Sequence, residues 1–297
     1  MTYYRRLPKF EYIPAQTIKE SLALLEDRKN EAKVVAGGTD LLLQMKSRLL
    51  TPKYLISLKQ IGELDYINHN KTDGLRLGPL TTIASVDSST VIQNNFNILA
   101  QATCNMASPQ IRNVATIAGN LCTAVPSADT APALIVLGAN LKLMAINSER
   151  TIAIEDFFTG PRQTVLKTDE LLTEIQVPDA SPSSKGVYLK QGLRKAMSLA
   201  TVGVAVLITL EDNFCQDIRI ALGAVAPIPL RARRSESVLR GKPLNDSLVT
   251  EAARSAAEEA IPISDIRASE EYRRDLVYVL TRRAIQQASE KGNTTLA

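Results

Sequence analysis

The chain has 297 residues, of which 45% are hydrophobic and 4% aromatic, and 35 basic against 31 acidic residues give a formal charge of +4. This length suits two domains with a sizeable core, and scattered charge with few aromatic rings disfavours nucleic-acid binding. The apolar run from Ala196 to Leu210 is shorter than the roughly 20 residues of a membrane-spanning helix, and residues 1–14 contain no signal-peptide core. We therefore expect a cytoplasmic protein without a membrane span.

The cysteine and histidine counts restrict the chemistry. The three cysteines, Cys104, Cys122 and Cys215, lie far apart, which favours small buried thiols over a disulfide framework or a Cys-x-x-Cys metal site. The single histidine, His69, lies in a polar segment that is typical of a turn, so a His-rich zinc site is excluded and a Ser-His-Asp triad is disfavoured. We expect no catalytic side chain and no metal ligand, and a cofactor if the protein is an enzyme.

The first 60 residues predict a βαβ unit. A capping-box pattern at Thr17–Glu20 begins a helix over 17–28. A β-type run over 33–36 ends in Gly37-Gly38-Thr39-Asp40, a helical segment follows at 41–45, and the next strand covers 54–58. The intervening helix favours parallel pairing of the two strands.

Residues 61–178 predict a second subdomain. Its expected elements are a strand over 75–80, helices over 83–93 and 98–104, a hairpin of 141–146 with 150–154, and a strand over 172–177. The Pro- and Ser-containing segment 179–185 is the predicted linker that ends this N-terminal domain.

The remaining residues, 186–297, predict a smaller domain. Strands over 186–191, 201–211 and 217–225 are expected to pair antiparallel, followed by helices over 247–260 and around the apolar stripe from Tyr272 to Ala284. The fold class is therefore α+β.

Two segments carry a possible binding signal. Gly37-Gly38-Thr39, between a strand and a helix, would let the backbone approach a phosphate, although a plain connection is the commoner reason for such glycines and neither familiar nucleotide fingerprint is present. Asp40 would cap the next helix, or point at a ribose or a neighbouring turn. The stretch TIAGNLCTAVPSADTAP at 116–132 has almost no large side chains and one charge, Asp129. It would line a large polar ligand as an extended segment, or form a loop in which Asp129 caps a helix over 130–137.

A family resemblance rests on five segments in matching order and spacing over nearly the whole chain. These are VVAGGTDLL at 34–42, SPQIRNVATIAGNLCTAVPSADTAPAL at 108–134, DELLTEIQVP at 169–178, YLKQGLRKAMSLATVGVAV at 188–206 and APIPLRARRSESVLRGKPL at 226–244. They resemble the FAD-binding medium subunit of the molybdenum hydroxylases, the family of xanthine and carbon monoxide dehydrogenases.

The resemblance implies a two-subdomain FAD-binding fold of the p-cresol methylhydroxylase type, with the flavin between the two N-terminal subdomains. Residues 36–40 would cradle the pyrophosphate and 116–120 would form the second wall. Asp129 would bond the ribityl or ribose side, Leu172 would flank the rings, and Lys190 would reach the isoalloxazine edge, where a cation stabilises anionic reduced flavin. The full implied set is Val35, Ala36, Gly37, Gly38, Thr39, Asp40, Leu41, Met106, Thr116, Ile117, Ala118, Gly119, Asn120, Thr123, Asp129, Leu172 and Lys190.

Three departures from the family bear on the acceptor and on extra clusters. Met106 stands where some members have an aromatic residue, and Pro161 where NAD-using xanthine dehydrogenases have a tyrosine, so the electron acceptor stays open. Cys122 is followed directly by Thr-Ala-Val-Pro, without the cysteine-rich insertion of 4-hydroxybenzoyl-CoA reductases, so their additional iron-sulfur cluster is not expected.

The resemblance also implies partners: a molybdopterin-binding large subunit that hydroxylates the substrate and a small subunit with two [2Fe-2S] clusters, assembled as a dimer of heterotrimers. Three cysteines are too few to hold those clusters here. Two alternatives are a free-standing FAD oxidoreductase of the same fold and a non-catalytic nucleotide-binding scaffold. The substrate would be selected by the molybdenum subunit.

Overall fold

The computed structural model describes residues 6–194 and 197–293, and its first unit is a small parallel sheet. The unit contains β1 (Glu11–Pro14), α1 (Ile18–Arg28), β2 (Ala32–Val35), α2 (Leu41–Lys46) and β3 (Tyr54–Ser57), with the strand order β1-β3-β2. Both pairings are parallel, which confirms the predicted βαβ unit. Thr17 caps α1 by accepting a hydrogen bond from the Glu20 N–H, whereas the Glu20 carboxylate accepts from the N–H of Gln16, one residue before the position of a capping box.

The second unit is built on an antiparallel sheet of five strands. The strands are β4 (Ile67–Asn70), β5 (Gly74–Leu77), β6 (Asn140–Ala145), β7 (Ser148–Ala153) and β10 (Leu171–Val177), and a ribbon of β8 (Phe158–Gly160) and β9 (Gln163–Thr164) lies between β7 and β10 in the sequence. The strand order in the sheet is β4-β5-β10-β6-β7. The predicted hairpin is confirmed as β6–β7. His69 lies in β4, not in a turn, because the short turn comes after Asn70.

Six short helices cover this sheet: α3 (Ile83–Ser88), α4 (Thr90–Asn95), α5 (Asn97–Cys104), α6 (Pro109–Arg112), α7 (Ile117–Thr123) and α8 (Thr130–Val136). The single helix expected over 83–93 is wrong, because extended Ser89 ends α3 and its hydroxyl accepts from the Ile92 N–H to begin α4. The three cysteines are free, and the expectation that all are buried is wrong for Cys104, which is exposed near the end of α5.

The third unit is an antiparallel sheet with helices on one face. It contains β11 (Ser184–Gln191), β12 (Val202–Glu211), β13 (Phe214–Gly223), β14 (Leu230–Arg231), α9 (Arg233–Leu239), β15 (Lys242–Pro243), α10 (Asp246–Glu259) and α11 (Glu270–Asn293). The three long strands pair antiparallel as predicted. Strand β11 begins inside the segment expected to be a linker, since Ser184 pairs with Thr209. Ala196, at the start of the apolar run, lies outside the described residues.

The two faces of this sheet contact different parts of the protein. Val204 and Val206 pack with α10 and α11, whereas Ala205 and Tyr188 pack with the core of the second unit, as the alternation of strand side chains requires. Strand β11 is the sheet edge beside α5, and its Tyr188 N–H donates to the Gln101 side-chain oxygen over 2.8 Å. The third unit therefore places the end of β11 against the helices of the second unit.

Across residues 6–194 and 197–293, no helix combines the length and hydrophobicity that crossing a membrane requires.

Candidate functional site

The glycine loop, residues 36–40, joins β2 to α2 and touches the segment that leads into α7. A Cβ atom on Gly37 would lie 2.2 Å from the carbonyl oxygen of Val114, closer than any real side chain allows. Gly38 has a φ of 75°, in the left-handed region that glycine adopts without strain. The fold therefore brings the glycine loop into backbone contact with Val114 and Ala115, directly before the second segment, and the absence of a Cβ on Gly37 permits this contact.

The N–H groups of the glycine loop are free to bind a ligand. In the described part of the chain, no acceptor takes a hydrogen bond from the backbone N–H of Gly37, Gly38, Thr39 or Asp40. Asp40 occupies the N-cap position of α2 but its carboxylate makes no capping bond, so the capping expectation is wrong for this residue. The loop presents four donors next to a helix N-terminus, an arrangement that suits the oxygens of a phosphate.

Residues 117–123 of the second segment form a helix, where the sequence predicted either an extended segment or a loop. Thr116 begins α7 by accepting from the Gly119 N–H over 3.1 Å, and the Thr123 hydroxyl donates to the Gly119 carbonyl over 2.8 Å. The Asn120 side-chain oxygen accepts from the Thr130 hydroxyl over 2.6 Å. This bond connects α7 to the start of α8, so the two helices form one wall.

A buried ionic cluster lies at the start of α8. One oxygen of Asp129 accepts from the Tyr188 hydroxyl and the other from the Lys190 ammonium, each over 2.7 Å. The side chains of Asp129 and Lys190 are only 6% and 12% exposed. Helix α8 begins directly after Asp129, as one alternative predicted, but Asp129 makes no capping bond to it, because its carboxylate is directed at the third unit instead.

Tyr188 is not among the site residues predicted from the sequence, although its spacing from Lys190 indicates that the two side chains lie on one face of the strand. Tyr188 and Lys190 are two residues apart in β11, so their side chains point to the same face of the strand. Gly203 pairs with Lys190 across the sheet, and a Cβ atom there would lie 2.7 Å from the Tyr188 hydroxyl. The glycine leaves the space in which this hydroxyl meets Asp129.

The protonation states of the cluster follow from burial and from its internal bonds. Burial raises the pKa of Asp129, and the bonds from Lys190 and Tyr188 oppose that change. Burial and the neighbouring Asp129 carboxylate raise the pKa of Tyr188 well above its ordinary value. The tyrosine therefore stays protonated and acts as a hydrogen-bond donor.

A cavity of about 540 Å³ lies beside the cluster. Its lining includes Gln101, Asn105, Tyr188, Lys190, Arg194 and Ser198. Lysine carries three N–H donors, and one is used by Asp129, so donors remain for a ligand in the cavity. The cavity offers a cationic, hydrogen-bonding edge between the second and third units.

The other residues of the implied set lie near these features. Val35 ends β2 and Leu41 begins α2, while Ile117 and Ala118 form the buried first turn of α7. Leu172 is buried in β10, which packs against α7. Met106 is half-buried between α5 and α6, and its carbonyl accepts from the Arg112 guanidinium over 3.0 Å. Among the described residues, no group of His, Cys, Asp and Glu could hold a metal ion.

The absence of a Cβ at Gly37, the four free N–H groups and the polar cavity together fit an elongated anionic ligand such as a dinucleotide. Comparison with known proteins identifies this ligand as FAD. Residues 8–180 match the family described as FAD binding domain in molybdopterin dehydrogenase, and residues 187–288 match the CO dehydrogenase flavoprotein C-terminal domain.

Full-length relatives agree with both matches. The chain is 34% identical over 282 residues to the glyceraldehyde dehydrogenase medium chain of Sulfolobus acidocaldarius, covering 95% of this chain and 99% of that protein. It is 31% identical over 278 residues to the xanthine dehydrogenase FAD-binding subunit of Escherichia coli O157:H7, covering 93% and 95%. A chain of the solved carbon monoxide dehydrogenase from Hydrogenophaga pseudoflava matches with a TM-score of 0.93 at 32% identity, covering 96% of this chain and 99% of that chain. The chain therefore belongs to the FAD-binding medium subunits of the molybdenum-containing dehydrogenases, and FAD is its cofactor.

Proposed function

We propose that the chain relays electrons within a molybdenum hydroxylase, receiving them from the [2Fe-2S] clusters of a partner subunit and passing them to an external acceptor. When bound, FAD supplies the capacity to store two electrons and to exchange them singly. The observation that supports this role most directly is the unbroken series of contacts from the Gly37 loop, through α7 and α8, to Lys190.

At one end of this series, the backbone would hold the pyrophosphate. The free N–H groups of Gly37, Gly38, Thr39 and Asp40 would donate to its oxygens, with the first turn of α7 as the opposite wall. Val35, Ala36 and Leu41 flank this loop, and residues 116–120 with Thr123 form the wall. Because Gly37 meets the Val114 carbonyl directly, no side chain separates the loop from that wall.

At the other end, side chains hold the ring system. Lys190 places its ammonium at the cavity edge, where positive charge favours an anionic form of the reduced ring. Asp129 anchors that ammonium at 2.7 Å and faces the ribityl side. Leu172 and Met106 supply apolar contact to the rings.

The partners of the chain are part of the proposal. The relatives are named a medium chain and an FAD-binding subunit, and the matched solved enzyme is described as lacking the Mo-pyranopterin moiety of its molybdenum cofactor. We infer a large molybdopterin-binding subunit, a small [2Fe-2S] subunit and a dimer of heterotrimers. We also assign residues 1–178 to the FAD-binding domain, with subdomains of about 1–60 and 61–178, and 186–297 to the C-terminal domain. Residues 179–185 are the proposed linker, the last two of which already pair in β11.

The first test is the absorption spectrum of the purified chain, followed by release of the cofactor and determination of its mass. We expect flavin bands at about 370 and 450 nm and roughly one FAD per chain. Folded chain that binds no FAD after reconstitution would contradict the cofactor site.

The relay is tested in the complex purified with its partners. Rapid mixing with a substrate of the molybdenum subunit should bleach the 450 nm flavin band, at about the rate at which the cluster absorbance changes. The isolated chain should show no turnover with the same substrate. Turnover by the isolated chain would favour the free-standing oxidoreductase instead.

A further inference from the structure

We propose that Tyr188 is a positioning residue of the flavin site: its hydroxyl fixes the carboxylate of Asp129, and through that carboxylate it fixes the ammonium of Lys190 at the cavity edge. This inference rests on the proposed placement of the flavin ring beside Lys190. It assigns a role to a side chain that the sequence reasoning did not include in the site.

The two carboxylate oxygens of Asp129 accept hydrogen bonds from different residues. Oδ1 of Asp129 accepts only from Tyr188 and Oδ2 only from Lys190, among the bonds that the structure records in the described ranges. A carboxylate with a donor on each oxygen has its plane fixed, whereas a single donor leaves it free to rotate. The second donor therefore determines where Lys190 is held.

Tyr188 is itself held at both ends. Its backbone N–H donates to Gln101 on α5, and its hydroxyl occupies the space left by Gly203. The residue is 7% exposed and Asp129 is 5% exposed. A buried carboxylate is costly unless its oxygens receive hydrogen bonds, so the tyrosine hydroxyl also compensates the burial that brings Asp129 to Lys190.

The same bond gives the site a pH dependence. In the described part of the chain, Lys190 and Tyr188 are the titratable groups that act on Asp129. A hydrogen bond from Tyr188 favours the ionised carboxylate, so its removal raises the pKa of Asp129 further. Once Asp129 is protonated, Lys190 loses its anchor.

The test variant is Tyr188→Phe in the full chain, which removes the hydroxyl and keeps the ring. The dissociation constant for FAD is measured from pH 5 to 9 by quenching of flavin fluorescence. We expect FAD binding to weaken about tenfold at pH 7, the size of one charge-assisted hydrogen bond. We also expect the loss of affinity on acidification to begin at higher pH than in the wild type, and the flavin reduction potential to become more negative.

Tyr66→Phe is the matched control, because the Tyr66 hydroxyl also donates to a carboxylate, that of Glu174, over 2.7 Å. This variant should keep the affinity, the pH profile and the potential of the wild type. If Tyr188→Phe gives wild-type values for all three, the inference is wrong while the FAD site stands. Wild-type chain that binds no FAD would overturn the proposed function instead.

A second variant keeps the inference testable if Tyr188→Phe does not fold. Asp129→Asn retains the shape of the side chain without a titratable group, so its FAD affinity should be weaker than wild type and independent of pH from 5 to 7. An unchanged pH dependence in Asp129→Asn would overturn the role given to the cluster.

Discussion

The two ends of the candidate site are formed by different kinds of contact, one between backbone atoms and the other between polar side chains. At the proposed pyrophosphate end, the Gly37 loop meets the backbone of the segment leading into α7, and the contact depends on the absence of a Cβ on Gly37. At the ring end, Asp129, Tyr188 and Lys190 meet through charged and polar side chains from two domains. One end is therefore sensitive to added volume and the other to charge and pH.

The difference also concerns how each end is assembled. The glycine loop and α7 both lie within residues matched to the FAD-binding domain, whereas Tyr188 and Lys190 lie in the C-terminal domain match. The ring end is complete only when the two domains are docked. Substitutions at the two ends should consequently differ in pH dependence as well as in magnitude.

The largest effect is expected from removal of the cation at the ring end. Lys190→Met leaves Asp129 buried without a counter-charge, at a cost of about 3 to 5 kcal/mol of unfolding free energy at pH 8. Because burial raises the folded-state pKa of Asp129, the folded chain binds that proton more tightly, and stability falls as pH rises from about 4 through the folded pKa. The loss should therefore be much smaller at pH 4, as measured by urea denaturation at both pH values.

The control for this change is the double variant Lys190→Met with Asp129→Leu. Replacing both members of a buried pair by apolar residues is close to neutral. Stability should therefore return except for about 1 to 3 kcal/mol, because the Tyr188 hydroxyl loses its acceptor, and the extra pH dependence should vanish. An equal loss for Lys190→Met at pH 4 and pH 8 would show that the charge of Asp129 is not involved.

The next largest effect tests the pyrophosphate end. Gly37→Ala forces a Cβ against the Val114 backbone, which cannot rotate away, and we expect a loss of up to about 3 kcal/mol of stability with at least tenfold weaker FAD binding. Both losses should be the same at pH 6 and pH 8. Gly62→Ala is the matched control, because a Cβ there meets no atom within 4 Å. Equal behaviour of the two variants would refute the close approach.

A smaller effect is expected when a methyl group is added beside the charged cluster of Asp129, Tyr188 and Lys190. Gly203→Ala crowds the Tyr188 hydroxyl and should cost about 1 to 2 kcal/mol. In a Tyr188→Phe background the crowded atom is missing, so the same substitution should cost less. A double-mutant cycle of urea denaturation measures this coupling, and additive losses would mean that the hydroxyl does not occupy the space.

The smallest effect is expected at a second ion pair between the domains, and it tests whether FAD affinity depends on the Asp129 cluster or on any ion pair across the domain interface. Glu155 lies just after β7, and its carboxylate accepts hydrogen bonds from the guanidinium groups of Arg231 over 2.8 Å and Arg233 over 2.6 Å. None of these three residues lines the cavity. Glu155→Gln should cost under about 1 kcal/mol, decreasing with added salt, since the pair is partly exposed. FAD affinity, followed by fluorescence quenching, should not change, and a tenfold loss would give this contact a role at the site.

Local patterns predicted the elements whose signals lie within a few residues. The parallel strands around α2, the β6–β7 hairpin and the three long strands of the C-terminal domain were all predicted, because alternation and turn residues are local signals. The family resemblance predicted the cofactor, which the matches to FAD-binding subunits confirm.

Predictions failed where a short capping interaction decides the outcome. Ser89 divides an expected helix in two, and Thr116 begins a helix in a segment expected to be an extended chain or a loop. A single hydroxyl bond of this kind does not alter the hydrophobic pattern from which the elements were predicted.

From the sequence alone, the glycine loop and the small residues of 116–132 were predicted to bind a ligand, and the family resemblance predicted that the ligand is FAD. Only the tertiary structure decided which of these groups meet. Asp129 and Lys190 are 61 residues apart in the chain, and Gly37 meets the carbonyl of Val114 across two subdomains. Such contacts have no local periodicity, because they arise when separate cores dock and not from the propensity of any one segment. For that reason, the sequence pattern places Tyr188 only on the same strand face as Lys190, and the tertiary structure shows that its hydroxyl bonds to Asp129.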